Sequence, residues 1–133
     1  MSAEASDRGR RSRARGNRAE VQVVHYLRDA GFPDARRYLA GDGRQPGDID
    51  AIPGLLIEVK DCADARWGTW MAKATKEADR LDRAWVVVLR TRGVPKVALW
   101  SCRWSYSHDG VRRVGASTFG AFLDLFLRDE AAS

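Results

Sequence analysis

The spacing of apolar residues follows the helical period in three segments of the chain. In the first, Val23 and Leu27 belong to an apolar arc that predicts a helix over about 17–30. The same period predicts helices over about 69–83 and about 117–129. One helix is therefore expected near each end of the chain and one in its middle.

The remaining apolar segments are short and have the character of strands. Residues 55–60 and 84–90 are almost continuously apolar, as in strands that are buried on both faces. A strand is predicted over 96 to about 106, because apolar side chains at 100, 102, 104 and 106 alternate with those at 101, 103, 105 and 107, and shorter strands are expected within 34–47 and at 111–114. This order of elements predicts an α/β fold with a central mixed β-sheet flanked by helices.

One predicted hairpin places charged residues among buried positions. Asp48 and Asp50 precede a turn at 53–54, and the strand after the turn is apolar except for Glu58 and Lys60. Side chains two apart on a strand face the same side, and burying these two costs several kcal/mol unless each is paired or bound. A divalent cation and a phosphate would use both groups. A Glu58–Lys60 salt bridge and a turn-capping Asp48 are the structural alternatives.

Glu20 is a second acidic residue where an apolar one is expected. On a helical wheel it falls near the middle of the arc defined by Val23, Val24, Leu27 and Ala30. A carboxylate in the first turn is also favoured by the helix dipole, which is the structural alternative. Together with the hairpin carboxylates, its position favours a functional role.

Carboxylates beside an amine suit metal-dependent hydrolysis of a phosphodiester. Mg²⁺ is usually held by one or two carboxylates, waters and a substrate phosphate, and a neighbouring lysine can orient or deprotonate the attacking water. Asp50 shares the face of Asp48 if the strand is regular, so either is a possible ligand. Asp48 is preferred because Gly47 lets the backbone bend there.

An acidic residue opening a helix, then Asp, then Glu-x-Lys on a hairpin resembles the PD-(D/E)xK nuclease superfamily. The closer resemblance is to archaeal-type Holliday junction resolvases and their small phage and bacterial relatives. It rests, in order, on residues 15–20, 27–32, 46–49 and 57–60, and it extends over about 15–100.

This resemblance implies a restriction-endonuclease-like core, cleavage that depends on Mg²⁺ with Mn²⁺ as a substitute, and a homodimer. By position, Glu20, Asp48 and Glu58 would be metal ligands and Lys60 the catalytic lysine, and all four are assigned to the active site. The interval from Asp48 to Glu58 is shorter than in the archaeal enzymes, so Asp50 remains an alternative ligand.

The net charge of +5 is distributed unevenly over the chain. Residues 1–18 contain six arginines and two acidic residues, and they have little to bury. A disordered basic arm over 1–16 is therefore predicted, followed by a single nuclease domain over 17–133. Such an arm indicates nucleic acid as the partner, with a solubilising tail as the alternative. The candidate DNA contacts in this region are Arg10, Arg11, Arg13, Arg15 and Arg18.

Other cations follow the second helix and the loop before the hairpin. They are candidates for phosphate contacts, which position DNA without reading bases, although a solvated helix face is the alternative on the second helix. These candidates are Lys73, Lys76, Arg80, Arg36, Arg37 and Arg44. Many relatives carry a glutamine in the second helix, and Glu77 is the nearest polar residue here.

Aromatic residues suggest two further roles. Trp67 and Trp70 flank the loop after Lys60, where they would stack on bases or close a core or dimer interface. Trp85 and Trp100 are expected in the core. The last helix is apolar around much of its girth, so we expect the core and a second subunit to bury it together.

Several classes of protein are excluded by composition. No apolar run approaches the length of a membrane span, and no secretory signal is visible. Cys62 and Cys102 match no metal or redox spacing, which favours a cytoplasmic protein with free thiols. Together with the carboxylate–lysine set, the resemblance implies a metal-dependent endonuclease that resolves four-way DNA junctions. A nuclease for flaps, nicks or restriction-like sites and a non-catalytic DNA-binding module are the alternatives.

Overall fold

The computed structural model describes residues 3–38 and 47–132, with the side chains of residues 3–8 and 12 not described. These residues form three α-helices, a 3₁₀ turn at Val97–Leu99 and six strands. The helices are α1 (Ala3–Asp29), α2 (Trp67–Leu81) and α3 (Phe119–Ala131). The strands are β1 (Arg36–Arg37), β2 (Ile49–Asp50), β3 (Leu55–Lys60), β4 (Ala84–Leu89), β5 (Ser101–His108) and β6 (Val111–Thr118).

The strands form one mixed sheet in the order β1-β2-β3-β4-β5-β6. Only β3 and β4 are parallel, because α2 carries the chain back between them, and the other described pairs are antiparallel. The predicted α/β class with a mixed sheet and flanking helices is therefore confirmed. The predicted hairpin is also present, as the antiparallel pair β2 and β3.

The sheet separates a large core cluster from a small one. The large cluster joins the sheet to α1 and α3 and contains Trp100, and the small one lies under α2 and contains Leu56 and Trp85. Trp85 and Trp100 are 2% and 0% exposed, so their predicted core positions are confirmed. Since Leu56 faces α2, the side chains of Glu58 and Lys60 leave β3 on that same face.

The predicted start of α1 is wrong. The helix begins at Ala3 rather than Asn17, so the segment expected to be a disordered arm is helical from residue 3. The prediction considered only what the segment can bury. Alanine, glutamate and arginine are strong helix formers, however, and a helix that is anchored by its C-terminal half extends at low cost.

The helix α3 begins where the sequence predicts, but a second subunit is not required to bury its apolar residues. Thr118 caps the helix by accepting a hydrogen bond from the Ala121 amide at 3.3 Å. Phe119, Phe122 and Phe126 are already buried within a single chain. A second subunit is therefore not needed to bury this part of α3, and the homodimer stays a prediction.

Strand β6 forms one edge of the sheet and is longer than the predicted 111–114. Arg112 contacts Asp79 on α2, and Arg113 contacts Asp129 on α3, each at 3.3 Å. The two ion pairs lie on opposite faces of the sheet, since neighbouring side chains of a strand alternate. The edge strand is thereby tied to both helical layers.

None of the described helices combines the length and the hydrophobicity needed to cross a lipid bilayer.

Candidate metal centre

The backbone around Gly47 holds Asp48 against β3. Gly47 has a φ of 79°, and a Cβ atom there would lie 2.7 Å from the Ile57 carbonyl oxygen. The Asp48 amide donates to that oxygen at 2.8 Å, and the Val59 amide donates to Asp48 Oδ2 at 2.7 Å. The Asp48 carboxylate therefore accepts a hydrogen bond that a backbone carbonyl of a neighbouring strand would otherwise accept, and this fixes its orientation.

The structure does not bring Asp50 to the same cluster. Its carboxylate pairs with Arg36 at 3.2 Å and is about half exposed. The alternation that would have aligned Asp48 with Asp50 is broken because the chain bends at Asp48, before β2 begins at Ile49. Asp48 and not Asp50 therefore lies beside Glu58, while the choice of either as a metal ligand stays a prediction.

Glu58 lies beside Asp48 and has a strongly shifted pKa. The residue is 9% exposed, and burial of its carboxyl group is the largest cause that raises the pKa to about 8. The charge of Asp48 and a hydrogen bond between the two carboxyl groups raise it further, whereas Lys60 and Lys73 lower it. In the metal-free protein Glu58 is therefore expected to keep its proton at neutral pH.

Glu20 reaches this cluster from α1, but it has a partner of its own. Arg37 Nε donates to Glu20 Oε2 at 2.7 Å, and another nitrogen of Arg37 donates to Asn17 Oδ1 at 2.7 Å. Burial, followed by the charge of Asp48, raises the pKa of Glu20 above its ordinary value, while Arg37 and Lys60 lower it. Arg37 holds Glu20 in this way, and its predicted contact with DNA stays a prediction.

The donor set fits a magnesium ion held by a pair of carboxylates. Within the described ranges, no three His, Cys, Asp or Glu side chains form a ready metal-binding group. The three-carboxylate set predicted from Glu20, Asp48 and Glu58 is therefore not preformed. Two adjacent carboxyl groups that stay together by retaining a proton still offer what Mg²⁺ uses, namely one or two carboxylates with the other positions left to water and phosphate.

Lys60 completes the cluster next to an aromatic wall. Its amine lies 5.8 Å from the centre of the Trp70 ring. A cavity of about 10 Å³ is lined by Glu58, Lys60, Trp70 and Lys73, among others, which is close to the space of one water molecule. Lys73 was predicted only as a DNA contact, yet it lies close enough to lower the pKa of Glu58.

An ion pair with a buried carboxylate beside the cluster was not predicted. Asp61 follows β3 directly, its side chain is 2% exposed, and it accepts from Arg90 at 3.1 Å. Arg90 follows β4, and the parallel register pairs Lys60 with Leu89. The sequence signal is a charged residue after each buried strand, which has meaning only once the two strands are known to be parallel neighbours.

The predicted DNA contacts occupy several surfaces. Lys73, Lys76 and Arg80 are exposed and line a shallow cleft of about 280 Å³ on α2. On α1, residues 11, 15 and 18 fall on one side of the helix by their spacing. Arg15 is half-buried, and the other arginines predicted there are exposed. Arg36 is occupied by Asp50. Arg44 lies outside the described residues.

Alanine at position 47 is expected to destabilise the protein more than alanine at position 54. Both glycines have a φ near 78°, but only at Gly47 would the added Cβ meet backbone, at 2.7 Å. Gly54→Ala should cost about 1–2 kcal/mol of unfolding free energy from backbone strain alone. Gly47→Ala should cost a further 1–3 kcal/mol or so because β3 must shift. Urea denaturation of both variants checks this, and equal losses would contradict it.

Comparison of the chain with protein-family models, curated proteins and solved structures found no match. Function must therefore be inferred from the geometry of Asp48, Glu58, Lys60 and Glu20. These four side chains come from α1 and the hairpin, and the charges of Asp48 and Lys60 act on both Glu20 and Glu58.

Proposed function

We propose that the protein is a magnesium-dependent endodeoxyribonuclease with a restriction-endonuclease-like core. The observation that carries this proposal is the pair formed by buried Glu58 and half-buried Asp48, with Lys60 on the same strand face as Glu58. A carboxyl pair with so few cationic partners costs stability, and acids in such a position are typical of functional sites. Cation binding next to a phosphodiester is the use that fits these residue types.

Asp48 and Glu58 would hold the ion, and Mn²⁺ is expected to replace Mg²⁺. A bound Mg²⁺ lowers the pKa of a coordinated water and stabilises negative charge on phosphate. The Val59 amide keeps Asp48 aimed at the site, and Arg37 keeps Glu20 close to it. The Lys60 ammonium neutralises charge on the scissile phosphate or, as the free amine, accepts the proton of the attacking water. The water then bonds to phosphorus as it gives up a proton to Lys60 or to solvent, the bond to the leaving sugar oxygen breaks, and that oxygen takes up a proton from solvent.

Branched DNA, and the four-way junction first, is the substrate that we propose. The described residues contain no helix with an evident base-reading pattern, and the cations on α1 and α2 suit phosphate contacts that recognise shape. A two-fold homodimer would place two equivalent sites on opposing strands of a junction that has near two-fold symmetry.

Cleavage of an end-labelled four-way junction by the purified protein tests this proposal. With Mg²⁺ or Mn²⁺ we expect paired, symmetric nicks, and with a chelator we expect none. Asp48→Asn keeps the size of the side chain but removes its charge, so it should lose cleavage by about 100-fold or more. Equal cleavage of a linear duplex would remove the resolvase assignment and leave a nuclease for another substrate such as flaps, nicks or restriction-like sites.

A non-catalytic DNA-binding module is the second candidate, and the Glu20–Arg37 ion pair favours it. If Arg37 holds Glu20 permanently, the site has one acidic group fewer for a metal. This candidate predicts DNA binding that weakens steeply with salt, no metal-dependent cleavage, and no effect of Asp48→Asn on affinity.

A further inference from the structure

A cleft of about 350 Å³ adjoins Lys60 on the surface of the protein. It lies between Trp70 and the loop formed by residues 61–66. Trp70 also lines the small cavity beside Glu58, so this side chain separates the candidate metal centre from the cleft. A group bound in the cleft would therefore be next to a phosphate held at Lys60.

The ring of Trp70 packs against a second tryptophan, Trp67. Trp67 meets it in an edge-on arrangement, with ring centres 5.3 Å apart and an interplanar angle of 81°. Trp67 is fixed in turn by the Arg103 guanidinium, which lies 4.2 Å from the centre of its ring. Both tryptophans pack against the small core cluster under α2 and yet keep part of their surface exposed. Trp70 is thus a rigid, half-exposed aromatic surface that costs little entropy to use.

Charges of both signs line the cleft. Lys60 and Arg66 are cationic, but Asp61 and Asp64 also line the cleft. Asp61 is already neutralised by Arg90, whereas Asp64 is exposed and would repel an anion. A carboxylate can accept a hydrogen bond from the exocyclic amine of a base. The combination of an aromatic wall and mixed charges suits the face and edge of a nucleobase.

We infer that Trp70 and this cleft bind an unpaired nucleobase next to the scissile phosphate. The substrate class is then DNA with a single-stranded segment at the cleavage position, as at a flap, an overhang or an open branch point. The inference rests on the proposed nuclease function, because Lys60 is what places the scissile phosphate beside the cleft. Base–aromatic stacking is tolerant of sequence, which agrees with recognition of structure.

Anisotropy titrations with labelled DNA test the inference without any cleavage. A blunt duplex is compared with an overhang DNA that has the same number of phosphates, in the presence of a chelator, so that the electrostatic contribution is matched. Trp70→Leu should weaken binding of the overhang about 5- to 100-fold and binding of the duplex less than about twofold. Trp70→Phe, which retains an aromatic face, should keep most of the preference.

A second measurement uses the wild-type protein, so that it does not depend on the folding of a variant. A fluorescent base analogue at the unpaired position nearest the duplex should be quenched on binding, and the same analogue within the duplex should not be. The inference would be overturned if the analogue were not quenched, or if Trp70→Leu lowered the affinity for overhang and duplex DNA equally. If overhang and duplex bind equally but a junction is still cleaved, only this inference fails. If no DNA binds, the nuclease proposal fails with it.

Discussion

Replacing Lys60 by methionine is expected to reduce metal-dependent cleavage by about 100- to 1,000-fold under saturating DNA and Mg²⁺. The methionine keeps most of the apolar stem against Trp70 while it removes the ammonium group, which is the cation on β3 nearest the Asp48–Glu58 pair. A charge placed in advance beside the reacting phosphate acts mainly in the transition state, so kcat should fall far more than DNA affinity. Single-turnover cleavage and anisotropy titration measure the two effects separately.

Lys76→Met is the matched control for this experiment. Lys76 is exposed on α2 and lines the shallow cleft there with Lys73 and Arg80. Its loss should weaken DNA binding modestly and reduce its salt dependence, with kcat within about threefold of wild type. A Lys60→Met protein that folds and retains more than about a tenth of the wild-type kcat would remove Lys60 from the chemistry.

Replacing Glu58 by glutamine is expected to stabilise the metal-free protein at high pH and to abolish its response to magnesium. Above a pH of about 8 the wild-type Glu58 carboxyl must ionise in a buried position next to Asp48. Glutamine has the same shape and no charge, so the free energy of unfolding should rise by about 1–3 kcal/mol. In the wild type, Mg²⁺ should restore this stability by binding only the folded state. Urea denaturation with and without Mg²⁺ measures both effects.

The stability of the metal-free protein should depend on pH, because the pKa of Glu58 differs between the folded and unfolded states. In the folded protein Glu58 has a pKa of about 8, compared with an ordinary value of 4.5, so between these limits the folded state holds a proton that the unfolded state has lost. The stability of the metal-free wild type should therefore fall as the pH rises from about 4.5 to about 8. The advantage of Glu58→Gln should vanish at the acidic end, where Glu58 is neutral too.

Glu77→Gln is the control for the stability measurements. Glu77 is a half-buried carboxylate on α2 whose oxygen accepts from the Gly47 amide at 3.4 Å. Its replacement should leave the rise in stability caused by Mg²⁺ intact. If Glu58→Gln and Glu77→Gln behave alike at every pH, the carboxyl pair is not the origin of the effect.

The parts of the site that were predictable are those with a local signal. Asp48, Glu58 and Lys60 lie on one hairpin, where turn residues and alternation determine which side chains meet. Glu20 was recognised because a helix repeats every 3.6 residues, so a carboxylate within an apolar arc can be seen in the sequence. Thr118 as the start of α3 follows from the same kind of short-range rule.

The parts that were not predictable depend on contacts between distant segments. Arg37 is a cation near the hairpin, which is the residue type expected to contact DNA. Nothing in its neighbouring sequence indicates that it lies against Glu20 on α1. Asp50 was a candidate because regular alternation was assumed, whereas the chain bends at Asp48. The N-terminal half of α1 was expected to be disordered because lack of burial was judged more important than helix propensity.

The ion pairs that tie β6 to the two helical layers also limit how this protein can self-associate. An edge strand of eight residues with Val111 and Val114 exposed would otherwise template the growth of a shared sheet and, with repetition, a fibril. Joining two copies at this edge would crowd Arg112 and Arg113 of one against the same cations of the other, or would pull them from Asp79 and Asp129. A productive dimer should therefore leave this edge in water and use another surface.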